Sequence, residues 1–194
     1  MKLVEYPFQF DFDDEFWQII QYDADDEIYR KNIMPKLQDS KAIDFLGIYK
    51  GQTLVLFEIK GFKGYMHSQE NKGRLSNNGQ GICTEISQKI RDSLAGIVHG
   101  GRMVKTVFWK TALDILSNPK KRVIVIAWLE QDPGLSQVWI DRRKAANPII
   151  RQTLQKKVNW LTPNPDIMVT SSTENLGERM SFSVSNMPNS ETNS

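Results

Sequence analysis

The stretch IDFLGIYKGQTLVLFEIKG, residues 43–61, consists of two apolar segments joined by the tripeptide Lys-Gly-Gln. A short loop that contains glycine is typical of a β-hairpin, so the stretch predicts two antiparallel strands. Three charged residues interrupt it: Asp44, Glu58 and Lys60. Strands this apolar are usually buried on both faces, and a buried charge is costly unless it is paired or binds a metal. These three residues are therefore the first candidates for a functional site.

The length of the hairpin loop decides whether the two carboxylates meet. Cross-strand partners in an antiparallel hairpin have residue numbers with a constant sum. A three-residue loop that pairs Tyr49 with Thr53 places Asp44 opposite Glu58. A two-residue loop would place Asp44 opposite Ile59 instead, on the other face of the sheet. We expect the three-residue loop.

The side chains of Glu58 and Lys60 share one face, because strand residues two apart point the same way. Two carboxylates about 5 Å apart repel each other unless a cation lies between them. Lysine can neutralise one carboxylate, whereas a divalent metal can satisfy both. Oxygen ligands alone suit Mg²⁺ or Mn²⁺, which lower the pKa of bound water and polarise phosphate oxygens. Lys60 would orient the water or stabilise developing charge.

Composition indicates an ordinary globular protein. The chain has 194 residues, of which 40% are hydrophobic and 10% aromatic, and this is enough for one domain with a sizeable core. A single cysteine, Cys83, excludes an internal disulfide and fits a reducing compartment. No apolar segment is long enough to span a membrane, and the N-terminus does not resemble a secretory signal. We therefore expect a cytoplasmic protein without a membrane partner.

Charge is distributed unevenly along the chain. Residues 1–27 contain nine acidic residues and one basic residue, which leaves a surplus of ten positive charges on the remainder. Such a surplus is compatible with a polyanionic partner that binds through its phosphates. A solvated surface explains the same composition more simply.

The pattern along the chain predicts helices alternating with strands. The predicted elements are a strand at 5–12, short helices at 13–20 and 23–34, the hairpin at 43–61, a basic loop at 61–81, a helix at 84–101, a buried strand at 122–129, a helix capped by Asn147 and starting at Pro148, and a strand at 166–171. This order predicts a single α/β domain over residues 1–171, with a central mixed β-sheet flanked by helices. The Ser/Asn-rich residues 172–194 predict a flexible tail.

The arrangement of Asp44, thirteen intervening residues and then Glu58-Ile59-Lys60 resembles the PD-(D/E)xK nuclease superfamily. A wider pattern over residues 20–100 also resembles bacterial proteins that carry this motif. The resemblance implies a restriction-endonuclease-like fold and Mg²⁺- or Mn²⁺-dependent hydrolysis of phosphodiester bonds, with DNA as the expected substrate and endonucleolytic cleavage. It further implies that Asp44 and Glu58 bind the metal with the Ile59 carbonyl and that Lys60 is catalytic. Ile43 stands where the nominal motif has proline.

Further site residues follow from the same resemblance. Many superfamily members supply an acid from the first helix, for which Glu27 is the best candidate and Glu15 the second. The helix after the motif often faces the site, which implicates Glu85, Lys89 and Asp92. Independently of the resemblance, the expected nucleic-acid contacts are Lys63, Lys72 and Arg74 in the predicted basic loop at 61–81, together with Lys89 on the helix that follows.

Other interpretations remain open at the level of sequence. Glu58 and Lys60 could be an exposed pair on an edge strand, Glu85 and Lys89 a surface ion pair, and Glu27 a solvated acid. The protein could be a catalytically silent nuclease-fold module that binds nucleic acid or assembles with a partner, or an unrelated α/β interaction domain. A nuclease without a separate recognition domain would need a homodimer, a partner protein or its own loop regions for sequence specificity.

Overall fold

The computed structural model describes residues 1–24, 27–62, 69–130, 137–161, 166–172 and 174–187, with only the backbone described in 69–78 and 137–145. The strands are β1 Lys2–Glu5, β2 Phe8–Phe12, β3 Trp17–Gln21, β4 Phe45–Tyr49, β5 Thr53–Gly61, β6 Arg122–Glu130, β7 Asp166–Thr170 and β8 Phe182–Asn186. The helices are α1 Gln69–Met103, α2 Val107–Ser117, α3 Gln137–Val158 and α4 Leu176–Arg179, with a π-helical turn at Tyr29–Ile33.

The strands form two sheets. The larger sheet has the order β3-β4-β5-β6-β7, in which β3, β4 and β5 pair antiparallel and β5, β6 and β7 pair parallel. The smaller sheet is antiparallel, with the order β1-β2-β8. The predicted α/β class with a central mixed sheet flanked by helices is confirmed.

Both faces of the larger sheet are covered, each by its own apolar core. Residues of β5 alternate between the two cores: Leu54 and Leu56 pack with the helices, whereas Val55 and Phe57 pack with the smaller sheet. The described residues therefore form three layers: helices, the mixed sheet and the small antiparallel sheet. This layering explains why the hairpin at 43–61 is apolar on both faces.

Two predicted segments have a different secondary structure. The predicted helix at 13–20 is wrong, because Trp17–Gln21 is strand β3, which pairs with β4 and buries Trp17 and Ile19. The predicted loop at 61–81 is wrong from Gln69 onward, where α1 has already begun. In both cases a tertiary partner, β4 or α3, overrides a weak local preference.

Several other elements have boundaries that differ from the predicted ones. The predicted strand at 5–12 is divided into β1 and β2, and the predicted helix at 23–34 is reduced to the π-helical turn, with residues 25–26 outside the described part. Asn147 and Pro148 do not begin a helix but lie inside α3, and α2 was not predicted. The hairpin, the helix at 84–101 and the strands at 122–129 and 166–171 are confirmed.

The predicted tail contains ordered structure. Within 172–194, α4 precedes β8, which pairs antiparallel with β2. Leu176, Met180 and Phe182 are buried in the core beneath the smaller sheet. The prediction of a flexible tail is therefore wrong for residues 174–187, because a few apolar side chains in a polar segment suffice to complete that core.

No helix in the described ranges is long and apolar enough to cross a membrane.

Candidate active site

The hairpin has the register that brings the two carboxylates together. Tyr49 pairs with Thr53, as the three-residue loop predicts. Continuing outward, Asp44 donates its backbone N–H to the Phe57 carbonyl over 3.1 Å. Asp44 therefore lies on the same face of the larger sheet as Glu58, on the side of the helices.

Both carboxylates are buried, since Asp44 is 3% exposed and Glu58 1% exposed. Asp44 Oδ2 accepts the backbone N–H of Ile59 over 2.5 Å, which ties the carboxylate to β5. Asp44 Oδ1 lies 3.0 Å from the Lys89 Nζ, which approaches from α1. The Asp44 carboxylate is thus oriented by groups from two elements.

Two lysines link the acids into a chain of alternating charge. Lys89 Nζ also lies 2.7 Å from Glu58 Oε1. Lys60 Nζ lies 2.7 Å from the same Glu58 oxygen and 3.1 Å from Glu85 Oε1. Glu58 Oε1 is held by ion pairs with both ammonium groups, whereas Glu58 Oε2 has no hydrogen-bond partner among the residues the structure describes.

The protonation of this cluster reflects competition between burial and charge. Burial and, after it, the charge of the neighbouring Asp44 raise the pKa of Glu58 to about 7, although Lys89 and Lys60 oppose the shift. Burial alone would lower the pKa of Lys89, but Glu58 and Asp44 together raise it above its ordinary value. Lys89 is therefore a charged ammonium at neutral pH.

A second group of acids surrounds Asp44 on another side. Glu5 at the end of β1 and Asp23 just after β3 each place a carboxylate oxygen within 4.8 Å of the others and of an Asp44 oxygen. Burial, followed by the charges of Asp44 and Asp23, raises the pKa of Glu5 to about 7. Burial and Asp44 likewise raise the pKa of Asp23. Three carboxylates this close are a donor set that suits Mg²⁺ or Mn²⁺.

The charge balance of the whole cluster fits a divalent cation. It contains five carboxylates and two ammonium groups, which leaves a surplus of three negative charges when all are ionised. Its members are Glu5, Asp23, Asp44, Glu58, Glu85, Lys60 and Lys89. The raised pKa values of Glu5, Asp23 and Glu58 share one origin, which is burial next to like charges. A bound metal ion would remove most of this repulsion.

The further acids that lie beside Asp44 are not the ones predicted from the sequence. The carboxylate of Glu27 is not part of the group around Asp44, which contains Asp23 and Glu5 instead. Glu15 is exposed in the turn before β3, at the end of that strand opposite to Asp23. Sequence reasoning missed Glu5 because it belongs to the smaller sheet, and missed Asp23 because the acidic segment offers several carboxylates at similar positions.

The predicted nucleic-acid contacts are largely outside the described side chains. Lys63 lies outside the described residues, and Lys72 and Arg74 lie in the part of α1 for which only the backbone is described. Lys89 is described, but its ammonium is buried against Asp44 and Glu58. The prediction that Lys89 contacts a phosphate therefore does not fit this structure.

The positions of Glu58, Lys60 and Lys89 exclude two simpler interpretations, an exposed edge-strand pair and a surface ion pair. Glu58 and Lys60 lie on β5, which has β4 on one side and β6 on the other, so they are not an edge-strand pair. Lys89 is 9% exposed and so does not form a surface ion pair. The charges of the hairpin are internal to the fold.

A hydrogen-bonded scaffold from α1 holds the segment that carries Asp44. The Ser93 hydroxyl accepts the N–H of Ile43 over 3.0 Å, and the Ser93 carbonyl accepts the Tyr22 hydroxyl over 2.7 Å. Tyr22 in turn donates its N–H to the Asp44 carbonyl over 2.8 Å. Asp92 accepts the N–H of Lys41 over 3.1 Å, so its role is also to anchor this segment.

No protein-family model, curated protein or solved structure matches this chain. The chemical interpretation therefore follows from the geometry of the described residues: a buried, oriented carboxylate pair, two lysines and two further acids that converge near the carboxyl end of β5.

Proposed function

We propose that the protein is a metal-dependent nuclease with a restriction-endonuclease-like fold, which hydrolyses phosphodiester bonds, with DNA as the expected substrate. The observation that carries this proposal is the convergence of Asp44 and Glu58 on one face, with Lys60 beside them. It is the constellation that the sequence motif requires, and a one-residue change of register would have abolished it.

The position of the cluster in the sheet also supports the proposal. Glu58 and Lys60 lie near the carboxyl end of β5, which pairs parallel with β6. Ligand sites in open α/β sheets usually lie outside the carboxyl ends of parallel strands. An antiparallel hairpin leads into this parallel pair, and helix α1 brings Lys89 and Glu85 to the same cluster, which further supports the proposal.

Asp44 would be the principal metal ligand, since it belongs both to the pair with Glu58 and to the group with Glu5 and Asp23. A bound Mg²⁺ or Mn²⁺ would supply Lewis-acid polarisation of a phosphate oxygen and a water of lowered pKa. Lys60 keeps 18% of its side chain exposed while Glu58 and Glu85 hold its ammonium. It is therefore placed to donate to an incoming phosphate oxygen and stabilise developing charge.

A cleavage assay tests this proposal directly. The protein is incubated with supercoiled plasmid and with single-stranded DNA, in Mg²⁺, Mn²⁺ or EDTA. We expect cleavage that EDTA abolishes and that Glu58→Gln and Lys60→Ala reduce by roughly 100-fold or more. Glu178→Gln is the matched control, because Glu178 is an exposed acid on α4. Cleavage at the wild-type rate by Glu58→Gln would indicate a contaminating nuclease and contradict the proposal.

One observation favours the second candidate, a catalytically silent nuclease-fold module. Lys89 and Lys60 already pair with Asp44 and Glu58, so these two carboxylates have cationic partners without any metal. A silent module would bind nucleic acid or a partner protein without cleaving it. Fluorescence anisotropy with labelled DNA distinguishes the two functions, since the silent module would bind equally well in Mg²⁺ and in EDTA while leaving the DNA intact.

A further inference from the structure

Lys89 occupies the position between the two carboxylates of the motif. Its ammonium lies 3.0 Å from Asp44 Oδ1 and 2.7 Å from Glu58 Oε1, and the residue is 9% exposed. The Lys89 ammonium thus contacts one oxygen of each acid. A divalent metal shared by Asp44 and Glu58 would bind in the same way. The Lys89 ammonium would therefore compete with such a metal for the same pair of oxygens.

Lys89 does not provide a hydrogen-bond partner for every oxygen of the Asp44–Glu58 pair. Glu58 Oε2 has no hydrogen-bond partner among the described residues, although Glu58 is 1% exposed. A buried carboxylate oxygen without a partner is costly, and a second ligand would reduce that cost. Lys89 and Lys60 both contact Oε1, so neither supplies it.

We propose that Lys89 is a competing cation: its ammonium holds the Asp44–Glu58 pair in the metal-free protein and withdraws when a divalent metal binds that pair. The inference rests on the metal site of the proposed nuclease. Lys89 has a flexible four-carbon stem. Glu85, one helical turn earlier on α1, offers a carboxylate within reach of a displaced ammonium. The free energy needed to displace the Lys89 ammonium sets the metal concentration at which the Asp44–Glu58 pair binds the ion.

Lys60 provides the matched control. It carries the same charge and contacts the same Glu58 oxygen at the same 2.7 Å, but its second partner is Glu85 rather than Asp44. Removing Lys60 therefore changes the local charge without vacating the position between the two metal-ligand candidates.

Calorimetric titration with Mn²⁺, without DNA, tests the competition. We expect Lys89→Met to bind Mn²⁺ about tenfold more tightly than wild type or better, because a neutral side chain of similar length no longer opposes the metal. Lys60→Met should gain less. Adding Glu58→Gln to Lys89→Met should remove the gain. Equal Mn²⁺ affinity in wild type and Lys89→Met, or a gain that survives Glu58→Gln, would overturn the inference.

A measurement on the wild-type protein covers the case in which Lys89→Met does not fold. Lysines are labelled by brief reductive methylation with and without Mn²⁺, and the modified peptides are quantified by mass spectrometry. We expect Lys89 to be protected in EDTA and to become several-fold more reactive in Mn²⁺, since the displaced ammonium is more accessible. Unchanged protection of Lys89 at saturating Mn²⁺ would overturn the inference.

These results are separable from those of the cleavage assay. Competition for Mn²⁺ without DNA cleavage would support the role of Lys89 and contradict the nuclease. Metal-dependent cleavage combined with unchanged Mn²⁺ affinity in Lys89→Met would support the nuclease and contradict the role of Lys89.

Discussion

At Asp44 every polar group of the residue has a partner. The carboxylate contacts the Ile59 N–H and the Lys89 ammonium, while the backbone N–H and carbonyl bond to Phe57 and Tyr22. A ligand that is oriented in this way loses little freedom when it binds a metal or substrate. The residue is thus fixed before any ligand arrives, which is what a catalytic carboxylate requires.

Glu5 is partly buried beside other acids, and we therefore expect the stability of the folded protein to depend on pH. Its pKa in the folded protein is about 7, compared with an ordinary value of 4.5. Between these pH values the folded state binds more protons than the unfolded state, so stability falls as the pH rises through this window. In EDTA, raising the pH from about 5 to about 8 should therefore lower the free energy of unfolding more in wild type than in Glu5→Gln.

Urea unfolding at the two pH values measures this difference. Glu178→Gln, at an exposed acid of α4, serves as the control and should keep the wild-type dependence. The same pH dependence in wild type and Glu5→Gln would contradict the prediction. Saturating Mg²⁺ should reduce the difference, because a cation beside Glu5 favours its ionised form.

At the scale of the element, the β4–β5 hairpin depends on its turn. Lys50 and Gly51 have φ values of 50° and 66°, which lie in the left-handed region. A β-branched residue is strained there, so Gly51→Val should lower the free energy of unfolding by roughly 1–2 kcal/mol. Urea unfolding gives the value, and Gln52→Val, at the exposed neighbouring position, is the control. Equal stability of the two variants would contradict the prediction.

Helix α1 packs against Tyr22 of the Asp44 scaffold at Gly96, where there is no room for a side chain. A Cβ at this position would lie 2.0 Å from the Tyr22 hydroxyl oxygen, which donates to Ser93. Gly96→Ala should therefore displace Tyr22 and cost about 2 kcal/mol of stability. Adding Tyr22→Phe should restore part of that loss, since the next contact, with the ring carbon that carries the hydroxyl, is 3.1 Å.

Thermal and urea unfolding of the two single variants and the double variant test this coupling. Additive effects would contradict a clash between the two residues. Because Tyr22 also donates its N–H to the Asp44 carbonyl, Gly96→Ala should weaken Mn²⁺ binding as well. If Gly96→Ala is destabilised but binds Mn²⁺ normally, the hydrogen bonds of Tyr22 do not control the metal-binding geometry of Asp44.

The sequence correctly predicted those elements whose secondary structure is determined by their own residue pattern. The hairpin register follows from its loop, and the helix at 84–101 follows from an apolar stripe that includes Ile86, Ile90 and Ile97, all of which are buried. β3 and β8 were not predicted, because each owes its conformation to a distant partner strand, β4 or β2. Local patterns cannot indicate such pairing when the segment is only five residues long.

At the scale of the whole molecule, the same distinction applies to the site. Asp44, Glu58 and Lys60 could be identified because one hairpin carries all three. Glu5 and Asp23 approach Asp44 only because the smaller sheet and the end of β3 converge on it. The internal role of Lys89 likewise depends on how α1 packs. A sequence pattern therefore predicted which hairpin residues come together in the candidate site, whereas the residues around them depend on tertiary structure.

Strand β8 joins the two N-terminal strands in the smaller sheet, where β2 pairs with both β1 and β8. Phe182 of β8 is buried there and contacts Phe10, Phe12 and Phe57. Phe57 belongs to the strand that carries Glu58, so the C-terminal segment supports the face of β5 opposite the site. Phe182→Ala should lower the free energy of unfolding by about 3–4 kcal/mol.

Truncation after Ser171 removes α4 and β8 together, which leaves β2 with one unpaired edge and opens the core beneath it. We expect this variant to lose cooperative urea unfolding and to bind a dye for exposed apolar surface. Truncation after Met187 is the comparison, because it retains α4 and β8 and should keep a cooperative transition. A cooperative transition of the shorter chain at the wild-type midpoint would mean that residues 172–194 contribute nothing to the fold. The buried positions of Leu176, Met180 and Phe182 argue against that outcome, because the apolar core to which they belong would otherwise face water.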